Sequence, residues 1–402
     1  MLDSLLDSCD LSDLSVLERI EFGLCLASFQ FENDKVAQLR SSCFEGFGIA
    51  DLVRKRVRDV SENDFIFLIT KWAMKEGEED ITTAKVREIG EYVANQIPRR
   101  LVRFGGGEMQ KEGVEETDSV SYLDEGGSVW KTAELKMKRP SSGHAVVRIG
   151  SYIFIIGCDR LQNPTRVEVH RLDLKDLTWT ECTPMMTVKH SFTCSSFAKD
   201  GKTFIMTVGG RNWLDDSVAS VELFDVANQV WDNGPEMREA RADACSVTAD
   251  QDVWAIGGIR RTDRRDISTC EIFSSQTMTW RTGPEINEER IGSQAVLAGD
   301  KIYLAGGLHR RTVEYTRKKG QDSRWTLMQQ RMHVERCGFG LAWFNDGIFA
   351  VGGRSSESKP PDYLFETATS TEWLGEANHT GEWTVGIPIE QAVCFFGNLV
   401  LC

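Results

Sequence analysis

The chain has 402 residues, 41% of them hydrophobic and 27% charged, which allows two or three ordinary domains, or one large all-β domain plus a smaller one. Its formal net charge of −14 argues against a general nucleic-acid binder or a membrane-surface protein, since both depend on basic patches. The opening MLDSLLDSCD carries acids where a signal peptide needs positive charge, no apolar run approaches the ~18 residues of a membrane span, and the eleven cysteines contain no C-x-x-C pair. Reduced, buried thiols in a cytoplasmic or nuclear protein are the expectation, with neither nucleic acid nor membrane as partner.

Residues 1–98 read as helices. Ser15–Gln30 places Leu17, Ile20, Leu24 and Leu26 near one stripe at helical spacing, and Lys35–Phe44 and Ile49–Val57 look similar. Ser61 with Asp64 resembles a capping box opening the run FIFLITKWAM, Thr82–Ile97 completes the set, and Pro98 ends it. Gly105–Gly106–Gly107 and the acidic stretch to Asp118 read as a linker over 99–118, because glycine adds freedom and like charges resist packing.

From Ser119 the texture changes to short strands at regular turns. Trp130, Trp179, Trp231, Trp280, Trp325 and Trp373 fall 49, 52, 49, 45 and 48 residues apart. Apolar runs ending in a glycine pair keep the same beat: Phe204–Gly210, Val253–Gly258, Ile302–Gly307 and Ile348–Gly353, with Ile153–Cys158 as a degraded copy. Two features sharing a period near fifty mark a repeat array with one four-stranded blade per period. Five periods are complete, at roughly 139–187, 188–239, 240–288, 289–334 and 335–378. The end offers two strand-like pieces, IEQAVCFF and NLVLC, and the beginning offers VSYLD and SVWKTAEL. These half-blades predict a sixth blade that pairs 119–136 with 388–402 and leaves no exposed sheet edge at the seam. The expected fold is therefore an all-β six-bladed propeller over 119–402 behind a small N-terminal all-α domain.

The glycine pairs and the strands VELF at Val221, CEIF at Cys270 and VEYT at Val313 together resemble the kelch-repeat family over residues 119–402. The first 98 residues resemble the BACK-type helical domain of BTB-kelch adaptors, best over NDFIFLITKWAMKEGEED, and no stretch resembles the BTB domain itself. The resemblance implies a protein-binding propeller, substrate presentation to a cullin ubiquitin ligase, and an accessory cullin contact through the helical domain. Without a BTB-like stretch, a monomer is expected. The alternatives are a propeller enzyme acting on a sugar or small metabolite, or an actin-binding member of the family.

No catalytic motif stands out. The six histidines lie in different blades or loops, and no H-E-x-x-H, G-x-S-x-G or Walker-type loop occurs, so neither a metal nor a cofactor is expected. A binding face is better supported. A basic residue follows four positions after an apolar one at the head of each complete period: Arg139 after Leu135, Lys189 after Met185, Arg241 after Met237, Arg290 after Ile286 and Arg336 after Met332. The connections after the glycine pairs bring Arg211, Trp213, Arg260, His309, Arg310 and Arg354 to the same end of the strands. Arginine's planar fork suits carboxylates and phosphates, so the expected partner is a protein carrying an acidic or phosphorylated peptide, with Trp213 as an aromatic anchor. The same register admits a structural role in which the basic residues tie blades to nearby acids, since Glu289 and Glu335 directly precede Arg290 and Arg336.

Overall fold

The computed structural model describes residues 100–110, 113–157, 166–174, 176–317, 324–355, 366–375, 382–391, 393–394 and 399–401. The helical reading of residues 1–98 lies outside them. Within them the chain forms six four-stranded antiparallel sheets and no helix. From the inner strand outward, blade one is Ala145–Ile149, Tyr152–Gly157, Glu168–Asp173 and Trp179–Cys182. Blade two is Thr193–Lys199, Lys202–Val208, Val221–Asp225 and Val230–Asn233. Blade three is Cys245–Ala249, Asp252–Ile256, Cys270–Ser274 and Thr279–Thr282. Blade four is Gln294–Ala298, Lys301–Ala305, Thr312–Arg317 and Thr326–Arg331. Blade five is Gly340–Phe344, Gly347–Val351, Thr371–Gly375 and Thr384–Val385.

The two inner strands of a blade are joined by tight turns. Asp250–Gln251 and Asn345–Asp346 both hold positive φ at the two central residues, the turn whose twist matches paired strands. The apolar cores lie between blades rather than inside one. Met206, Val208 and Leu223 of blade two pack with Val253, Ala255, Phe273 and Trp280 of blade three, and equivalent clusters join three to four, four to five and five to six.

This arrangement explains the fifty-residue beat. The Trp231 indole donates to the Thr183 carbonyl at 2.8 Å, Trp280 to Pro235 at 2.7 Å and Trp325 to Pro284 at 3.2 Å, so each fourth-strand tryptophan clasps the chain leaving the previous blade. Trp373 breaks the pattern expected of it. It lies in the third strand of blade five, and the fully buried Trp383 beside the fourth strand occupies the core position instead.

The ring closes differently from the expectation. Blade six is Val400–Leu401, Arg100–Phe104, Ser119–Asp124 and Lys131–Lys136, with Leu101 opposite Leu401 and Val102 opposite Val400. One strand comes from the end of the chain and three from the beginning, rather than two and two. Residues 99–118 are therefore not a linker. Arg100–Phe104 is a buried second strand, Gly105–Gly106 is the glycine pair of blade six with φ of 55° and 112°, and Gly107–Gln110 with Gly113–Glu116 forms a hairpin.

Candidate functional site

The repeated basic residues sit inside the blades. Arg241, Arg290 and Arg336 are at most 1% exposed and Lys189 is 2% exposed. Each meets a glutamate from the third strand of its own blade: Arg241 with Glu271 at 3.0 Å, Arg290 with Glu314 at 2.9 Å, Arg336 with Glu372 at 2.9 Å, and Lys189 with Glu222 at 3.8 Å. The rest of each head group meets backbone. Arg290 Nη1 donates to the Gly306 and Thr312 carbonyls at 2.6 and 3.0 Å, and Arg336 Nη1 to Gly352 and Ser370 at 2.6 and 2.9 Å. Arg241 repeats the set on Gly257 and Thr269 at 2.9 and 3.0 Å. A buried charge is tolerable only when paired and hydrogen-bonded, and these are both.

Glycine is required at the other half of this fastening. Gly258 N donates to the Arg290 carbonyl at 2.7 Å and Gly307 N to Arg336 at 2.8 Å, linking each glycine pair to the next blade. A Cβ on Gly258 would stand 2.6 Å from the Ala242 carbonyl, and its φ of 98° is hostile to any other residue. Of the two roles the register admitted, the structural one holds for Lys189, Arg241, Arg290 and Arg336. These four are corrected from partner-binding residues to internal fasteners.

Arg139 falls out of register altogether. The buried apolar residue at that corner is Met137, whose amide donates to Asp118 as Met237 does to Ala219, so the equivalent of Arg241 in blade one is Ser141. Arg139 is instead 57% exposed and paired with Glu168 at 3.3 Å.

Lys189 is the weak fastener. It reaches only the Ser220 carbonyl, at 3.3 Å, and burial pulls its ammonium down to about 8 despite Glu222. Its folded value lies below its ordinary 10.5, so the cost of burying the charge is fully present below pH 8 and fades as pH rises toward 10.5. Lys189→Arg, which restores the fork of the other blades, should raise the melting temperature by ~2–4 °C at pH 7, roughly 1 kcal/mol. The advantage should shrink between pH 8 and 10, as followed by thermal melts across that range.

The connections after the glycine pairs do converge. Arg211, Arg261 and Arg354, together with Asp243, Ser191 and Gln294, line a cavity of about 370 Å³ where blades one to five meet. Arg211 pairs with Asp243 and, at 3.1 Å, with Asp215, and Arg261 also pairs with Asp215. These arginines, Arg261 first, hold the Asp215 carboxyl below its usual range. Arg354 Nε donates to the Cys337 sulfur at 2.9 Å.

Arg260 turns away from the cavity toward Asp263 at 2.5 Å and Glu239 at 3.6 Å. The cavity residue is its neighbour Arg261, which sequence reasoning passed over. The sequence IRRTDRRD offered both arginines, but the strand ends at Arg260 and the turn that begins at Arg261 is what carries the second one to the cavity. His309 is exposed beside Glu335 at 3.8 Å, and Arg310 is half-buried in the same connection.

Trp213 is 82% exposed and Leu214 is 59% exposed, at the tip of a tightly held turn. The Asn212 side-chain oxygen accepts from the Leu214 and Asp216 amides at 2.9 and 3.1 Å, and Asp215 anchors both Arg211 and Arg261. A blade-packing role for Trp213 is excluded by its exposure.

Thiol chemistry is not favoured at the cysteines among the described residues. Burial pushes Cys194, Cys245 and Cys394 up to about 12 and also raises Cys337, so the thiolate is suppressed. Burial pulls His144 down to about 4, leaving it a neutral group bonded to the Phe104 carbonyl. Among the described residues no group of three or more His, Cys, Asp or Glu side chains is placed to hold a metal ion.

Comparison with known proteins agrees with this architecture. The KLHDC2/KLHL20/DRC7 Kelch-repeats domain matches residues 91–307, more than half of the chain. Kelch-like protein 34 of Homo sapiens is 25% identical over 153 residues, 35% of this chain and 23% of that protein. Kelch-like protein 40 of Xenopus tropicalis is 24% identical over 158 residues, 39% of this chain and 25% of that protein. An F-box/kelch-repeat protein of Arabidopsis thaliana is 34% identical over 100 residues, 23% of each chain. These matches span about a quarter of the curated relatives. A solved structure, described as "Structure of YjhT", superposes with a TM-score of 0.56 at 14% identity, covering 64% of this chain and 87% of that one.

Proposed function

The chain belongs to the KLHDC2/KLHL20/DRC7 Kelch-repeats domain family, and from that premise we propose that it is a non-enzymatic interaction module whose propeller mouth holds an acidic peptide of a partner protein. The convergence of Arg211, Arg261 and Arg354 on one cavity carries this reading. Guanidinium groups at the wall of a concave site are desolvated enough to matter and open enough to meet a carboxylate or phosphate. The exposed Trp213 and Leu214 beside them supply the rigid apolar contact that interaction hot spots favour.

Resemblance to BTB-kelch adaptors supports a role in substrate recognition or scaffolding for a cullin–RING ubiquitin ligase. Residues 1–98, through their resemblance to a BACK-type domain, then give an accessory cullin contact, and the protein acts as a cytoplasmic monomer.

The test uses Arg261, which is half-buried and lies outside the four buried pairs, its acidic partner being the exposed Asp215. Arg261→Glu should weaken a fluorescent peptide of alternating Asp and Gly by roughly tenfold or more, the range of one charge-assisted hydrogen bond lost and one repulsion gained. The melting temperature should stay within ~2 °C, and wild-type affinity should fall as salt rises. Undiminished binding by Arg261→Glu, or a fold that melts before binding is lost, would remove the mouth from consideration.

A further inference from the structure

The face around the mouth is electrically lopsided. The chain carries a net charge of −14, yet arginines collect on the connections of blades three and four. Arg264 and Arg265 sit in the blade-three hairpin, whose strands are Ile259–Arg260 and Arg265–Asp266, and Arg311 follows the glycine pair of blade four. All three are exposed.

Their neighbours are answered by acids, Arg260 by Asp263 and Glu239 and Arg261 by Asp215. Arg264, Arg265 and Arg311 form no ion pair among the described residues; Arg311 donates only to the His333 carbonyl, at 3.4 Å. The two connections are adjacent, because Arg261 of the blade-three connection and Leu308 of the blade-four connection line the same cavity. Arg265 also stands directly opposite Arg260 across the hairpin, a like-charge pairing that costs stability.

Blade six, three blades from blade three and two from blade four round the ring, shows the reverse. Its hairpin sets Glu108 directly opposite Glu115, and neither forms an ion pair among the described residues. At physiological ionic strength charges act over roughly 8 Å, so an acidic ligand meets attraction on one side of the mouth and repulsion on the other.

We propose that an acidic partner segment places one acidic side chain in the mouth and runs outward over Arg264, Arg265 and Arg311, so that this face selects a tract of several acidic side chains. The inference rests on the mouth reading above and adds a direction and a length to it. Each exposed contact contributes little alone, up to about fivefold, but two or three along one tract multiply. Carboxylates and phosphates both supply the required charge, and Glu108 and Glu115 turn the tract away from blade six.

The test compares two capped peptides on the full chain by fluorescence anisotropy: a short one with a single Asp and a twelve-residue one of alternating Asp and Gly. Arg264→Glu/Arg265→Glu should weaken the long peptide by about tenfold, leave the short one within about twofold and not lower the melting temperature, since Arg265→Glu sets an acid opposite Arg260 in place of a like charge. Equal weakening of both peptides, or of neither, overturns the tract. Failure of the short peptide to bind wild type would instead overturn the mouth reading.

A phosphoserine version of the long peptide identifies the source of charge. Tighter binding than the aspartate version assigns the tract to a phosphorylated partner, and equal or weaker binding assigns it to Asp and Glu. Glu108→Lys/Glu115→Lys should change long-peptide affinity by less than about twofold at physiological salt, since screening confines each charge to its own side. A tenfold gain would place the tract over blade six and overturn the direction. A single-stranded oligonucleotide binding more tightly than either long peptide would overturn the peptide assignment.

Discussion

Arg290→Glu is expected to destroy the folded propeller rather than release a partner. The wild-type guanidinium makes its bond to Glu314 at 2.9 Å, two backbone bonds and one to the Thr312 hydroxyl at 3.0 Å, all in a place with no solvent access. The substitution leaves two carboxylates facing each other there. Breaking one buried pair costs about 3–5 kcal/mol, and the repulsion adds to it, against a typical domain stability of ~5–15 kcal/mol. Soluble expression should fall sharply, and any protein recovered should melt many degrees lower. Arg290→Met/Glu314→Leu, which removes both charges, should recover much of the loss because the desolvation cost vanishes with the pair. If Arg290→Glu melts like wild type but no longer holds an acidic peptide, the fastener assignment is wrong and the residue belongs to the binding face.

Removing residues 384–402 should abolish cooperative unfolding of the whole propeller. The segment carries the strand that pairs with Leu101 and Val102, the outer strand of blade five, and the buried Ile389, Val393 and Leu399 that pack with Leu101, Leu123 and Trp130. Its loss opens the ring at blade six and exposes an unpaired edge at Arg100–Phe104, a template for aggregation. A milder probe is Val393→Asp, which buries an unpaired carboxylate in the same cluster and should cost at least about 3 kcal/mol. Scanning calorimetry reads both: a broadened or vanished transition is expected for the truncation, and a lowered single transition for the point variant. An unchanged transition after truncation would mean that blades one to five fold without closure.

How much of this was legible depended on the range of the interaction. The period, the glycine pairs and the blade count were readable because each copy of a repeat writes the same local demand again. A turn that needs positive φ selects glycine at Gly209–Gly210, Gly257–Gly258 and Gly306–Gly307 alike. The closing blade was half legible. Arg100–Phe104 was hidden because the glycines and glutamates after it have the composition of a linker, and its strand partners, Val400–Leu401 and Ser119–Asp124, lie at the far end of the chain and beyond a hairpin. Trp373 misled for a similar reason. It kept the spacing of the series while Trp383 kept the environment.

The sequence by itself determined that this chain makes a ring of six kelch blades, because repetition and strand alternation are properties of neighbours along the chain. It also offered a basic residue at one register at the head of five periods, of which the structure keeps four. Only the tertiary structure decided what that register is for. Alternation says which side of a strand a residue faces, but whether that side meets solvent or a glutamate depends on chain some thirty residues away, Glu271 for Arg241 and Glu372 for Arg336. Burial of those arginines leaves Arg211, Arg261 and Arg354 as the arginines that line a cavity, because the connections, unlike the strands, converge there.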